Sequence, residues 1–175
     1  MHKNNKKKLL VLILAYNVEK FIRNVIERIP RNLGNKYQIE ILIIDDCSND
    51  KTFDTCKNII NQKISPFKIT LISNLQNGGY GYVQKIGYFY SIKNNFDFVA
   101  MVHGDGQYAP ELLNELIEPI IEKKADGVQG SRMIVSNDAI RGGMPLYKYC
   151  GNKLITFIQN FILSTSFSEF HSGYR

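Results

Sequence analysis

The chain has 175 residues, of which 44% are hydrophobic and 22% charged. That balance suits one globular domain with a sizeable core and excludes a disordered or collagen-like chain. The net charge is +6, and part of the excess lies in the opening KNNKKK, so residues 1–8 read as a solvated basic tail. No nucleic-acid-binding motif accompanies the charge. The three cysteines, Cys47, Cys56 and Cys150, are odd in number and form no CxxC pair, which argues for a reducing compartment and against a disulfide framework or a zinc site.

In chain order, Leu9 to Ala15 is continuously apolar, as in a strand buried on both faces. The run is too short to cross a bilayer and leads into AYN without a small-residue cleavage site, so it reads as a core strand and not as a signal peptide. Val18 to Ile29 carries Phe21, Ile22, Val25, Ile26 and Ile29 at helical spacing, ended by Pro30 and Gly34. Ile39 to Ile44 predicts a second buried strand ending at Asp45. Ser48 or Asn49, with Asp50, predicts the cap of a helix running to about Gln62. Phe67 to Ile72 predicts a third strand, and NGGYG opens a helix to about Asn94. Asp97 to Val102 predicts a fourth strand. Pro110 suits the first turn of a further helix, in which Pro119 predicts a kink or a split. Gly127 to Ser131 reads as a further short strand. From Cys150, the residues Leu154, Phe157, Ile158, Phe161 and Ile162 form an apolar face opposite Asn152, Thr156, Gln159 and Asn160, the pattern of a core-facing helix.

Strands alternating with helices predict an α/β fold, a mostly parallel sheet with helices on both faces. Ligands of such sheets bind at the carboxyl ends of the strands, and those ends carry AYN, DDCSND and HGDGQ. In DDCSND, Ser48, Asn49 and Asp50 suit a helix start, which leaves the adjacent Asp45 and Asp46 unexplained. A carboxylate there has the chemistry to accept the ring N–H of a uracil or guanine base, and the capping and base-binding readings both stay open. NGGYG lacks the third glycine of a dinucleotide fingerprint and follows the third strand instead of the first; it reads as a turn that helps form a ligand pocket. In HGDGQ the glycines strip cover from Asp105, which suits a divalent ion that takes few protein ligands and completes its shell with phosphate and water. His103 reads either as a packed strand-end residue or as a ligand. Gln107 and Tyr108 read as loop residues lining the same pocket.

Taken in order, AYN, DDCSND, NGGYG, HGDGQYAPE, GSR and SEFHSGYR resemble the motifs of family 2 glycosyltransferases. They are most similar to the branch around dolichyl-phosphate mannosyltransferase and the polyprenyl-phosphate glycosyltransferases. The resemblance runs from Leu9 to Arg175. It implies the GT-A nucleotide-sugar-binding fold, a UDP- or GDP-sugar donor, inversion at the transferred sugar and a divalent metal, Mg2+ or Mn2+. Residues 9–175 would form the catalytic domain, with further acceptor or membrane elements expected beyond Arg175.

Position by position, the resemblance puts Tyr16, flanked by Ala15 and Asn17, against the base, with Asp46 binding it. Asn77, Gly79 and Gly81 of NGGYG join the donor pocket. HGD stands where the family carries D-x-D: Asp105 matches the metal-binding acid, and His103, followed by Gly104, replaces the first acid. Glu169 matches an acid near the acceptor with base or positioning roles, and Arg132 and Arg175 match phosphate-neutralising positions. The implied acceptor is a polyprenyl phosphate or a glycan. The implied location is cytoplasmic, at the inner face of the membrane, which turns the Cys150–Ile162 helix toward peripheral membrane contact. Two rivals remain: a sugar-nucleotide-forming nucleotidyltransferase, which needs a glycine-rich basic signature that AYNVEK lacks, and a glycosyltransferase-like module that binds nucleotide sugar without turnover.

Overall fold

The computed structural model describes residues 6–131, 133, 140, 144–170 and 172–174. The four long apolar runs form four parallel strands: β1 (Lys8–Ala15), β2 (Gln38–Asp45), β3 (Lys68–Ser73) and β4 (Phe98–His103). Their order in the sheet is β3-β2-β1-β4. Each lies within a residue or so of its sequence-predicted bounds, because a strand covered on both faces must be apolar at every position, and such a run has sharp edges. Leu9 to Ile13 of the central strand β1 are fully buried.

The strands divide their side chains between two layers by simple alternation. Leu9, Val11, Ile13, Ile41, Ile43, Ala100 and Val102 pack on α1 (Ile22–Glu27), α3 (Thr52–Asn61) and α5 (Leu113–Ile121). Leu10, Leu12, Leu42, Ile44 and Met101 pack on α4 (Tyr80–Lys93) through Val83. A one-turn helix, α2 (Leu33–Lys36), precedes β2, and a 3-10 turn, Pro110–Leu112, precedes α5. The register pairs Ala15 with Asp45, Asp45 with Ser73 and Leu14 with His103, which levels the carboxyl ends of all four strands. The chain leaves β1 toward β2 and β3, then returns to β1's other side as β4. The β1/β4 junction is therefore the switch point at which an open parallel sheet splays its loops apart.

Several local expectations fail. Ser48 and Asn49 do not cap α3, whose N-cap is Lys51; Asp50 instead accepts the N–H of Thr52 at 2.9 Å. Of the kink or split expected at Pro119, the split does not occur: α5 runs on to Ile121, with the proline in its last turn. Gly127–Ser131 forms no strand. It has only Val128 to bury between two glycines, and it is tied down by single contacts: Gly130 N–H to the Tyr174 carbonyl (2.8 Å), and the Gln129 amide to the carbonyls of Phe170 (3.3 Å) and Ser172 (3.0 Å).

The largest correction concerns α6 (Leu146–Leu163). The core-facing reading is inverted. Phe157 and Phe161 are 70% and 81% exposed, whereas Thr156 is 6% exposed. The polar side turns inward because its partners are there: Asn152 Nδ2 donates to Glu169 Oε1 (3.0 Å), and Asn160 bonds both the N–H and the carbonyl of Phe167. Among the described residues, no helix is long and apolar enough to cross a membrane.

Candidate active site

At the β1/β4 switch point, Ala15, Tyr16, Asp46, Asn77, Gly79, His103, Gly104 and Asp105 line one cavity of about 320 Å³. Leu14, Val18, Tyr80 and Val83 complete its wall. The AYN, DDCSND, NGGYG and HGD stretches thus meet at one edge of the sheet.

Each loop is set by its own bonds. After β1 the chain turns at Asn17, whose φ of 53° is one that asparagine tolerates better than most residues. The Asn17 N–H donates to Ser48 Oγ (2.9 Å), and its Oδ1 accepts from Asn49 N–H (2.8 Å). Asn17 is therefore a latch between two loops and not part of the cavity wall. It leaves Tyr16 45% exposed at the cavity mouth. After β4, Gly104 passes beneath Leu14 and Val18: a Cβ there would stand 3.0 Å from the Leu14 carbonyl oxygen and 3.0 Å from Val18 Cγ2. A side chain there would have to push the loop and β1 apart, so glycine favours the close approach of the Asp105 loop to β1.

The two adjacent acids do not share an environment. Asp45 accepts from the hydroxyls of Ser48 and Ser73. Asp46, 4% exposed, accepts from Asn74 Nδ2 (2.7 Å) and Gly78 N–H (2.9 Å) on Oδ1, and from Gly79 N–H (2.8 Å) on Oδ2. Burial pushes the Asp46 carboxyl up, but the bonds from Gly78, Asn74 and Gly79 outweigh it and hold the group below the usual carboxylate range. The carboxylate is thus the anchor of the Asn77–Gly79 loop. Gly79 has a φ of 78°, which a side chain would strain, and it opens α4. Gly81 lies on α4 with open space around it and is not part of the cavity wall.

Asp105 accepts the Gln107 N–H on Oδ1 (3.0 Å), and its Oδ2 accepts no hydrogen bond among the described residues. His103 sits beside it on the cavity wall, with ring contacts to Tyr80 (centroids 5.4 Å apart) and Tyr108 (5.0 Å). Among the described residues, no group of three or more His, Cys, Asp or Glu could enclose a metal. A carboxylate oxygen without a partner among the described residues, a neighbouring imidazole and bare glycines fit a hard divalent ion held by one or two side chains, with the rest of its shell from phosphate and water.

The remaining predicted residues are elsewhere. Glu169 is buried beneath α6, bonded to Asn152, and does not line the cavity. Arg132 and Arg175 lie outside the described residues. Gln107 and Tyr108 line a neighbouring cavity of about 410 Å³ on the α5 side, and not the one that holds Asp105.

The model of glycosyl transferase family 2 matches residues 10–175 of this chain. The chain belongs to this family. It is 33% identical to the UDP-N-acetylglucosamine–dolichyl-phosphate N-acetylglucosaminyltransferase of Methanococcus voltae, an alignment that covers 96% of this chain and 68% of that protein. It is 27% identical to an uncharacterized protein of Methanocaldococcus jannaschii, over 98% of this chain and 65% of that one. Its fold is similar to that of S. aureus TarS 1-349, crystallised in complex with UDP-GlcNAc: the TM-score is 0.51 at 24% identity, covering 68% of this chain and 32% of the other. The chain therefore spans about two thirds of the length of these curated relatives and about a third of that structure. The family match and this likeness agree with the GT-A fold that the motifs imply.

Within this family 2 fold the sequence reading missed Tyr80 and Val83, which reach the cavity because α4 starts at its rim. Their signal was present: they follow the NGG turn at the start of a helix. It also missed Asn152, which holds Glu169 from 17 positions away.

Proposed function

We propose that this chain carries the catalytic domain, residues 9–175, of a metal-dependent, inverting glycosyltransferase that moves a sugar from a UDP- or GDP-linked donor to a lipid-linked or glycan acceptor. UDP-N-acetylglucosamine is the first donor to test and a polyprenyl phosphate the first acceptor. The donor is suggested by the name of the Methanococcus voltae relative and by the nucleotide sugar in the TarS structure; the acceptor is suggested by the relative's name alone. The observation that carries the reading is the cavity where Tyr16, Asp46, His103 and Asp105 converge at the switch point.

In this reading Tyr16 covers the base, and the uncommitted lone pair of Asp46 Oδ2 takes a base ring N–H while its other bonds hold the Asn77–Gly79 wall. Asp105, with His103, would hold the divalent ion, which when bound supplies positive charge against the leaving diphosphate. Glu169 orients or deprotonates the acceptor; an acceptor phosphate, already anionic, would need only orientation. Arg132 and Arg175 would neutralise phosphate, as guanidinium groups do. The outward face of α6 carries exposed Leu154, Phe157 and Phe161 with Lys153, and the helix has no acid, which suits peripheral contact with the inner face of a membrane.

Thermal unfolding with UDP-GlcNAc, UDP and GDP-mannose, with and without manganese, tests the donor reading. At about 100 times Kd a ligand adds roughly 2.7 kcal/mol, a rise of about 5 to 10 °C for a chain of this size. No metal-dependent rise with any nucleotide would overturn it.

A further inference from the structure

Gly173 lies so close to His103 that a Cβ built on it would stand 2.2 Å from Nε2 and 2.4 Å from Cε1 of the ring. The requirement is for room and not for an unusual backbone. Among the described residues the glycines with positive φ are Gly79 and Gly106, so alanine is conformationally acceptable at 173. The Gly173 N–H donates to the Tyr108 hydroxyl at 2.9 Å in a buried contact. Tyr108 also meets the His103 ring edge-on, with centroids 5.0 Å apart and planes at 78°. The next residue repeats the pattern. Tyr174 stacks on Tyr108 at 5.7 Å, its hydroxyl donates to the Ala109 carbonyl (2.8 Å), and its own carbonyl accepts from Gly130 N–H (2.8 Å). The segment that carries Glu169 is thus clamped, a few residues on, against the loop that carries His103 and Asp105.

We propose that Gly173 and Tyr108 are positioning residues for His103. The backbone of Gly173 forms one wall of the imidazole's seat, and the Tyr108 hydroxyl fixes where that wall stands. The ring then holds one orientation beside Asp105 only while the closing segment is docked, so the donor loop and the acceptor-side segment move as one unit. The functional half of this inference rests on the reading of His103 and Asp105 as the metal and diphosphate loop.

A double-mutant cycle between Gly173→Ala and His103→Ala in the full chain tests it, because a cycle isolates the pairwise term. In ligand-free thermal unfolding, G173A should lower the melting temperature of the wild type, and most of that loss should vanish in the H103A background, where the methyl meets no ring. An equal loss in both backgrounds would overturn the seat. In calorimetric titration with UDP and manganese, G173A should weaken binding about tenfold in the wild type and less than about twofold in the H103A background. Equal weakening in both, the signature of a merely structural glycine, would overturn positioning. Tyr108→Phe keeps the ring and removes the acceptor of the Gly173 N–H; it should weaken manganese-dependent UDP binding about threefold and leave manganese-free UDP binding unchanged. An unchanged metal-dependent affinity would remove Tyr108 from the proposal. If wild type binds neither UDP nor GDP with manganese, the donor-site reading and the functional half of this inference fall, while the unfolding cycle still decides whether Gly173 seats the ring.

Discussion

Replacing Asp46 by asparagine separates two roles that one carboxylate could play. If Asp46 only read a base, the free protein would hardly notice the change. The geometry says otherwise. An asparagine has one acceptor oxygen and one NH2 group. With its oxygen in the Oδ1 place it keeps Asn74 Nδ2 and Gly78 N–H, but its NH2 then faces the Gly79 N–H, donor against donor. Flipped, it faces two donors instead of one. The better arrangement still loses one charge-assisted bond, leaves a backbone N–H without an acceptor at a site only 4% exposed, and weakens the two bonds that remain. Such a loss costs about 2 to 4 kcal/mol, or roughly 5 to 15 °C in Tm for a chain of this length. Nucleotide affinity should fall with it, since Asn77 and Gly79 are cavity wall.

The same bonds give the prediction a pH dependence of known sign. The folded Asp46 carboxyl is held below its ordinary value, so its contribution is fully present above the unfolded value near 3.9 and is lost as pH falls through the lower folded value. Urea denaturation of wild type and D46N at pH 7 and near pH 3 is the assay. The stability gap should be wide at pH 7 and narrower near pH 3, where the aspartate of the unfolded chain is already largely protonated. A gap below about 0.5 kcal/mol at pH 7, the range of an ordinary surface substitution, would refute the anchoring argument. So would a gap of the same size at both pH values.

Three further outcomes are expected. Asp105→Ala should abolish the manganese dependence of UDP binding in calorimetry yet change stability by no more than about 0.5 to 1 kcal/mol, since among the described residues the side chain holds only the Gln107 N–H at 3.0 Å. A thiol reagent at pH 8 should label exposed Cys150 quickly and Cys56 only on unfolding; burial, with Asp45 and Asp50 nearby, pushes the Cys56 thiol up to about 12, which leaves roughly one thiolate in ten thousand at that pH. Phe157→Glu with Phe161→Glu should abolish sedimentation with anionic vesicles while leaving Tm nearly unchanged, because both rings are largely exposed in the folded chain.

What could be read from the sequence, and what could not, follows from the range of the physics involved. The strands of the sheet were legible because burial on both faces leaves an unbroken apolar run such as LLVLILA, and no distant residue is needed to recognise it. The edge that carries the site was legible because alternating strands and helices leave one end of a parallel sheet for ligands, whichever loops stand there. Orientation was not. The pattern of α6 divides its residues into an apolar and a polar face, but periodicity is silent on which face meets water. Here the inward choice depends on Glu169 and on the turn at Phe167, which give Asn152 and Asn160 their partners. Asp46 was singled out as one of two unexplained acids, yet its three donors come from a turn 28 to 33 positions later, and nothing local announces them. Gly173 stood in plain view within SEFHSGYR. Its reason for being glycine is a histidine ring 70 positions earlier in the chain, which enters only once the closing segment has folded back across the sheet edge. A glycine whose backbone needs nothing special is the case that sequence reading passes over, and it is also the case in which a single methyl group, placed there by mutation, reports most directly on the contact.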